Sequence, residues 1–111
     1  MPKYLVIFNS TVNASDTMKQ ATPEQMQASM QEWMQWKEIA EKKVKFEWGQ
    51  PIQAIARITP TGVVNSDSQA SGYCTLEGSK EDVMALLTTH PHLKREGATT
   101  DVLERLSMPG M

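Results

Sequence analysis

The chain has little that would support cross-linking or membrane insertion. Cys74 is the only cysteine among 111 residues, so a disulfide framework within the chain is excluded. No apolar run approaches the ~20 residues that a membrane-spanning helix needs. The apolar run after Lys3 is also too short for a secretory signal. We therefore expect a cytoplasmic protein that has no membrane partner.

An excess of basic charge is also absent. The chain has 11 basic and 13 acidic residues and a formal charge of −2, so no positive field attracts a phosphate backbone, and we expect no nucleic-acid partner. The composition is otherwise that of a globular protein, with 40% hydrophobic and 22% charged residues. The length suits one domain over residues 1–111.

The first half of the chain predicts a strand, a loop and a long helix. Lys3–Phe8 (KYLVIF) is a strand that is apolar on both faces, so both faces need a cover. Asn9–Ala21 is polar and reads as a loop. Thr22-Pro23-Glu24-Gln25 is a helix start with a capping box, and the helix should run to Lys42 or Lys43. We expect Met18, Met26, Met30 and Met34, in or near this helix, to pack as core, with a malleable pocket as the alternative.

The second half predicts three more strands and a short helix. Residues 45–59 alternate between apolar and polar, but Gly49 and Pro51 interrupt the pattern, so the strand proper should begin near Ile52. Residues 60–64 read as a turn and a return, and 72–77 as the third strand. A helix begins at Ser79 and must stop at Pro91, and residues 100–106 form the last strand.

The predicted order is strand, helix, strand, strand, helix, strand. This order indicates an α+β fold of the ferredoxin-like βαββαβ type, a four-stranded antiparallel sheet with two helices on one face. The doubly apolar first strand predicts a homodimer through the other face. The RNA-recognition fold has the same order, but its third strand carries basic and aromatic residues. Here that strand, Ala70–Leu76, has one aromatic residue and no Lys or Arg.

Three segments resemble the YCII-related family: KYLVIF, TPEQMQASMQEWMQW, and GYCTLEGSKEDVMALLTTHPHL with the terminal DVLERL. The resemblance implies a dimeric α+β barrel, in which two ferredoxin-like subunits pack sheet to sheet. Members of the family are mostly of unknown function, and their shape suggests a muconolactone-isomerase-like or related small-molecule activity. Many relatives carry Asp-Gly-Pro-Phe before the third strand. Only Asp67 of the corresponding Asp67-Ser68-Gln69-Ala70 matches that motif.

Both histidines lie in one tripeptide, His90-Pro91-His92, and three interpretations of it remain open. In the first, a histidine is the general acid or base of an isomerase- or lyase-like reaction on a small molecule, with Asp67, Asp16 or Glu47 as an orienting partner. In the second, His-x-His binds a metal ion, for which too few ligands are evident. In the third, the tripeptide only ends a helix, His90 caps carbonyls and His92 lies at the surface. We expect no cofactor and no metal.

A small-molecule pocket is expected between the long helix and the sheet. Trp33 and Trp36 lie at neighbouring helical angles, and Trp48 follows the helix-to-strand turn, so the three form either a pocket wall or core. Lys37 falls within the same apolar stripe, as an anion anchor or a side chain that reaches to water. The alternative function is a non-catalytic dimeric module that binds a ligand or serves as an accessory subunit.

Overall fold

A computed structural model describes residues 1–110 of the chain. It contains six strands, three α-helices and one 3₁₀ helix. In chain order these are β1 (Lys3–Asn9), α1 (Ala14–Gln20), α2 (Pro23–Ala40), β2 (Lys45–Pro51), β3 (Arg57–Thr59), β4 (Gly62–Val64), β5 (Ala70–Glu77), α3 (Lys80–Leu87), the 3₁₀ helix (Pro91–Lys94) and β6 (Thr99–Arg105). No helix within residues 1–110 is both long and apolar enough to cross a membrane.

Four of the strands form one antiparallel sheet in the order β2-β5-β1-β6. Val6 of β1 stands opposite Cys74 of β5 and Val102 of β6, which fixes the register at the centre of the sheet. Opposite residues point to the same face. The predicted α+β class and the four-stranded antiparallel sheet are therefore confirmed.

The core lies between the sheet and the two helices α2 and α3. Tyr4, Val6 and Phe8 alternate along β1 and are all buried. They pack with buried side chains from the other elements, namely Trp36, Ala40, Val44, Phe46, Cys74, Leu76, Val83, Leu86 and Leu87. The alternation gives one face of the sheet to the helices, as expected for an antiparallel sheet with one covered face. The other face carries Leu5 and Ile7, which are half-buried.

Helix α2 begins where the sequence predicts. The Thr22 side chain accepts a hydrogen bond from the Gln25 N–H, and the Gln25 side chain accepts one from the Thr22 N–H, which completes the capping box. The helix ends at Ala40, two or three residues before the predicted end. Its only buried residues are Trp36 and Ala40, both near its C-terminal end. The N-terminal half of α2 therefore does not pack closely against the sheet.

Two predictions were wrong: that residues 9–21 form a loop, and that the second strand begins near Ile52. The predicted loop Asn9–Ala21 contains α1, whose first turn is capped by the Asn13 side chain accepting from the Asp16 N–H. The second strand of the sheet is Lys45–Pro51 rather than a strand from Ile52. Pro51 is tolerated because β2 is an edge strand, and the pairing register shifts between Trp48 and Pro51.

A separate two-stranded hairpin extends from the sheet. Strands β3 and β4 pair only with each other, and Ile58 stands opposite Val63. Nearly every residue from 53 to 65 is exposed, including both of these apolar side chains. Arg57 at the base of β3 forms a hydrogen bond and an ion pair with Asp67. The turn and return predicted for residues 60–64 correspond to this hairpin.

Candidate functional site

An open apolar cleft lies between the N-terminal half of α2 and the β2–β5 side of the sheet. Its volume is about 690 Å³, within the ~300–1,000 Å³ of small-molecule pockets. Helices α1 and α2 form one wall, and β1, β2 and β5 form the floor and the other wall. The lining residues are Phe8, Thr17, Met18, Ala21, Gln25, Met26, Ser29, Met30, Trp33, Met34, Trp48, Gly49, Gln50, Pro51, Ser71, Gly72, Tyr73 and Arg95.

Four methionines from α1 and α2 dominate the helical wall. Met18, Met26, Met30 and Met34, here called the cleft methionines, are each between 42% and 66% exposed. The expectation that they pack as core was therefore wrong, because α2 buries only its C-terminal end. A thioether side chain is flexible and polarizable, so such a wall can adapt to ligands of different shape. Large apolar groups gathered at one exposed site also mark a binding surface.

Aromatic rings and glycines form the inner end and the floor of the cleft. The rings of Trp33 and Trp48 stack with their centroids 5.7 Å apart and their planes at 23°. Phe8 meets Trp33 edge to face at 5.4 Å. Because residue 72 is glycine, the floor has no side chain there. A Cβ atom at Gly72 would make an ordinary van der Waals contact with the Phe8 ring, at 3.7 Å.

Gly49 allows β2 to approach β5 closely. A Cβ atom there would lie 2.3 Å from the Tyr73 carbonyl oxygen and 2.4 Å from the Tyr73 ring. Any larger residue would force the edge strand away from its neighbour. Gly49 therefore helps to set the shape of the sheet side of the cleft.

The other two residues predicted for the pocket lie elsewhere. Trp36 is buried in the core, where its indole N–H donates to the Leu86 carbonyl at 2.9 Å. Lys37 forms an i,i+4 ion pair with Glu41 at 3.3 Å and is not among the residues that line the cleft. Of the four residues predicted for the pocket, the structure thus places Trp33 and Trp48 in the cleft wall.

His90 is a buried capping residue. The following proline keeps it out of helical geometry, with φ −66° and ψ 136°. Its Nδ1 accepts a hydrogen bond from the His92 backbone N–H at 3.0 Å. In the neutral ring the proton therefore lies on Nε2, which has no hydrogen-bond partner within residues 1–110.

Three aromatic rings surround the His90 imidazole. Their centroids lie 4.4 Å away for Trp36, 4.5 Å for Trp33 and 4.7 Å for Phe8. A ring face can accept an N–H weakly, which suits an Nε2 proton without another acceptor. Burial, and to a lesser extent the nearby His92, lowers the pKa of His90 to about 4. The ring is therefore neutral at pH 7.

His92 is also buried, whereas the helix-stop interpretation placed it at the surface. Its Nε2 lies 2.9 Å from the Asn9 carbonyl oxygen and 3.2 Å from that of Thr99. Carbonyls only accept, so Nε2 carries the proton and donates. Burial lowers the pKa of His92, the two carbonyl contacts oppose that effect, and the positive charge of Arg95 lowers the pKa further. This side chain ties the 3₁₀ helix to β1 and β6.

The predicted catalytic residues are not assembled into one site. Neither histidine is among the residues that line the cleft. Asp67 is exposed and bonded to Arg57, which lowers the pKa of its carboxyl group. Within residues 1–110 no group of three or more His, Cys, Asp or Glu side chains could hold a metal ion. Among the hydrogen bonds of residues 1–110, none joins a carboxylate to either imidazole, so the orienting partner of the acid–base interpretation is not found there.

Several cleft residues were not predicted as a site, among them Ser29, Gly49, Gly72 and Arg95. For these residues the four methionines were the only sequence signal near the cleft, and a run of methionines is equally compatible with core packing. No protein-family model, no curated protein and no solved structure matches the chain. The resemblance to the YCII-related family therefore stays a prediction.

Proposed function

We propose that this protein binds a small apolar molecule in the cleft between α2 and the sheet. The observation that carries the proposal is the cleft itself, about 690 Å³ in volume and walled by the cleft methionines and the stacked pair Trp33 and Trp48. Burying apolar surface stabilises a protein by ~25 cal/mol per Å², and the exposed parts of these side chains do not contribute that free energy. A ligand that covers them would recover part of that free energy, as in other apolar pockets.

Binding is favoured over proton transfer by the geometry. Both histidines already serve the fold, since one caps the 3₁₀ helix and the other holds two carbonyls. Burial also keeps His90 uncharged at pH 7. Acid–base chemistry through His90, His92 and Asp67 stays a prediction that no contact in the cleft supports. The non-catalytic ligand-binding module is the better proposal.

The test uses a neutral apolar dye such as Nile red and two matched variants. Ser29 lines the cleft and is half-buried, whereas Ala28 is the preceding residue on α2 and lies outside it. Ser29→Leu should fill the cleft and weaken dye binding at least ~tenfold, the equivalent of ~1.4 kcal/mol. Ala28→Leu should leave the affinity unchanged.

Binding is followed by dye fluorescence and by the tryptophan emission of Trp33 and Trp48. The dye should also raise the melting temperature, because it binds the folded state. Equal affinity in the two variants, or no binding to the wild-type protein, would refute the proposal.

A ferredoxin-like subunit that dimerises through its open sheet face is the second part of the proposal, as the family resemblance implies. Directly opposite positions on that face hold Leu5, Thr75 and Leu103 in one row and Ile7, Tyr73 and Asp101 in the next. Leu5 and Ile7 are half-buried and Leu103 is exposed, so a second copy would cover an apolar centre. A standard interface buries ~800 Å² on each partner.

Light scattering tests the dimer. The wild-type protein should show twice the chain mass of 12.4 kDa. Leu103→Lys should lower the measured mass toward that of the monomer. Met84→Lys on α3, an exposed apolar position outside that face, should leave it unchanged. A monomeric wild-type protein at micromolar concentration would refute the dimer.

A further inference from the structure

We infer that the ligand of the cleft is an amphipathic monoanion, an apolar body that carries one terminal anionic group such as a carboxylate. The inference rests on the proposed function, since it names the ligand class of the same cleft. Arg95 is the only charged residue among those that line the cleft within residues 1–110. A single cation at the edge of an apolar surface favours a ligand with one negative end.

Arg95 lies where the apolar cleft meets a smaller and more polar cavity. That cavity is about 280 Å³ in volume and shares Thr17, Ala21, Gln25 and Arg95 with the cleft. Its remaining lining residues are Ser10, Val12, Gln20 and Glu96. Glu96 lines the smaller cavity but not the cleft. Its negative charge therefore disfavours an anion bound within the smaller cavity. The anionic group is therefore best placed at the junction, beside Arg95.

Within residues 1–110 the Arg95 guanidinium has no ionic partner. The Arg95 side chain makes no ion pair and no hydrogen bond in the part of the chain that the structure describes. The neighbouring cation differs, because Lys94 is bonded to Glu32 on α2 at 3.0 Å. A guanidinium group presents a planar set of donors that matches a carboxylate or a phosphate. An organic anion would supply the missing partner.

The buried histidines hold the backbone of Arg95 in place. The Arg95 N–H donates to the His92 carbonyl at 3.2 Å, and its own carbonyl accepts from the Ala98 N–H at 3.2 Å. His92 in turn donates from its ring to the Asn9 carbonyl. The tripeptide His90-Pro91-His92, which follows α3, therefore positions Arg95, the one cation that lines the cleft in the described part of the chain. This role needs neither histidine to touch the ligand.

Three probes of equal chain length separate charge from apolar contact: octanoate, 1-octanol and octyltrimethylammonium. Octanoate should bind about fivefold to tenfold more tightly than 1-octanol, as expected for one partly exposed charged contact. The preference should shrink as salt rises, because ions screen the contact. Octyltrimethylammonium should bind most weakly.

Two neighbouring variants assign the preference to one residue. Arg95→Gln should bring octanoate to within about twofold of 1-octanol and leave the affinity for 1-octanol unchanged. Lys94→Gln removes the same charge one residue away and should keep the preference. Both side chains are largely exposed, so circular dichroism and melting temperature should show intact folds.

The outcomes distinguish the inference from the proposed function. Equal binding of octanoate and 1-octanol to the wild-type protein would overturn the ligand class and leave the apolar cleft intact. A preference that survives Arg95→Gln, or that Lys94→Gln abolishes equally, would overturn the assignment to Arg95. Binding of none of the three probes would overturn both the inference and the proposed function.

Discussion

Acidification should destabilise this protein through its buried histidines. His90 is 2% exposed, and its environment lowers its pKa from 6.5 to about 4. Below pH 6.5 the unfolded chain takes up a proton at this position while the folded chain does not. The contribution to stability is therefore fully present above pH 6.5 and is lost as the pH falls toward 4.

The size of the effect follows from the shift. Each pH unit between the two pKa values is worth ~1.4 kcal/mol for one proton, so His90 alone should cost about 2 kcal/mol at pH 5 and about 3 kcal/mol near pH 4. Burial lowers the pKa of His92 as well, which adds to the loss in the same direction. Against a total stability of ~5–15 kcal/mol for a small domain, this is a large share.

Urea unfolding followed by tryptophan fluorescence at pH 7 and pH 5 measures this loss. The control is His90→Asn, because an asparagine oxygen can accept the hydrogen bond from the His92 N–H but does not titrate in this range. The variant will be less stable at both pH values, since its smaller side chain leaves a cavity among the aromatic rings. Its loss between pH 7 and pH 5 should nevertheless be about 2 kcal/mol smaller than that of the wild-type protein. Equal losses in the two proteins would refute the assignment of the effect to His90.

Three further predictions concern other parts of the fold. Gly49→Ala should lower the free energy of unfolding by ~1–3 kcal/mol because its Cβ would meet the Tyr73 carbonyl at 2.3 Å, whereas Gly72→Ala should change it by less than ~0.5 kcal/mol; equal melting temperatures would contradict this. Cys74 is fully buried and burial raises its pKa to about 12, so a disulfide reagent should modify it only in denaturant, and rapid modification of the native protein would disprove its burial. Thr22→Ala should cost ~0.5–2 kcal/mol in urea unfolding because it removes the acceptor for the Gln25 N–H; an unchanged midpoint would show that the cap contributes nothing.

The sequence predicted those elements whose signals are local. The capping box at Thr22 and the Ser79 cap, whose side chain accepts from the Asp82 N–H, need only neighbouring residues. The apolar run of the first strand also predicts a strand, and in the structure Tyr4 begins its buried row while Leu5 and Ile7 form the half-buried row. Helix α1 was missed because its residues are polar and none is buried, so no apolar period marks it. Strand β2 was misplaced because the position of a proline on an edge strand depends on the whole sheet.

The site was less predictable because it depends on how far α2 stands from the sheet. The methionine stripe looks the same in a sequence whether it packs against a sheet or faces an open cleft. The histidines were predicted as catalytic residues because imidazole commonly transfers protons. The burial of His90, however, depends on Phe8, Trp33 and Trp36, which are distant from it in the sequence. The sequence did not predict Arg95 as a site residue, because the ion pairs that the nearby charged side chains form are known only from the folded structure.

A methyl NMR titration of the methionines shows directly whether the cleft binds a small molecule. The chain has eight methionines. Replacing them with leucine one at a time assigns each methyl resonance to its residue. On addition of octanoate, the resonances of the four cleft methionines should shift together with one dissociation constant. The resonance of Met84, which is exposed on α3 outside the cleft, should stay unchanged. Unchanged cleft resonances, or equal shifts at Met84, would contradict the claim that the cleft binds a small molecule.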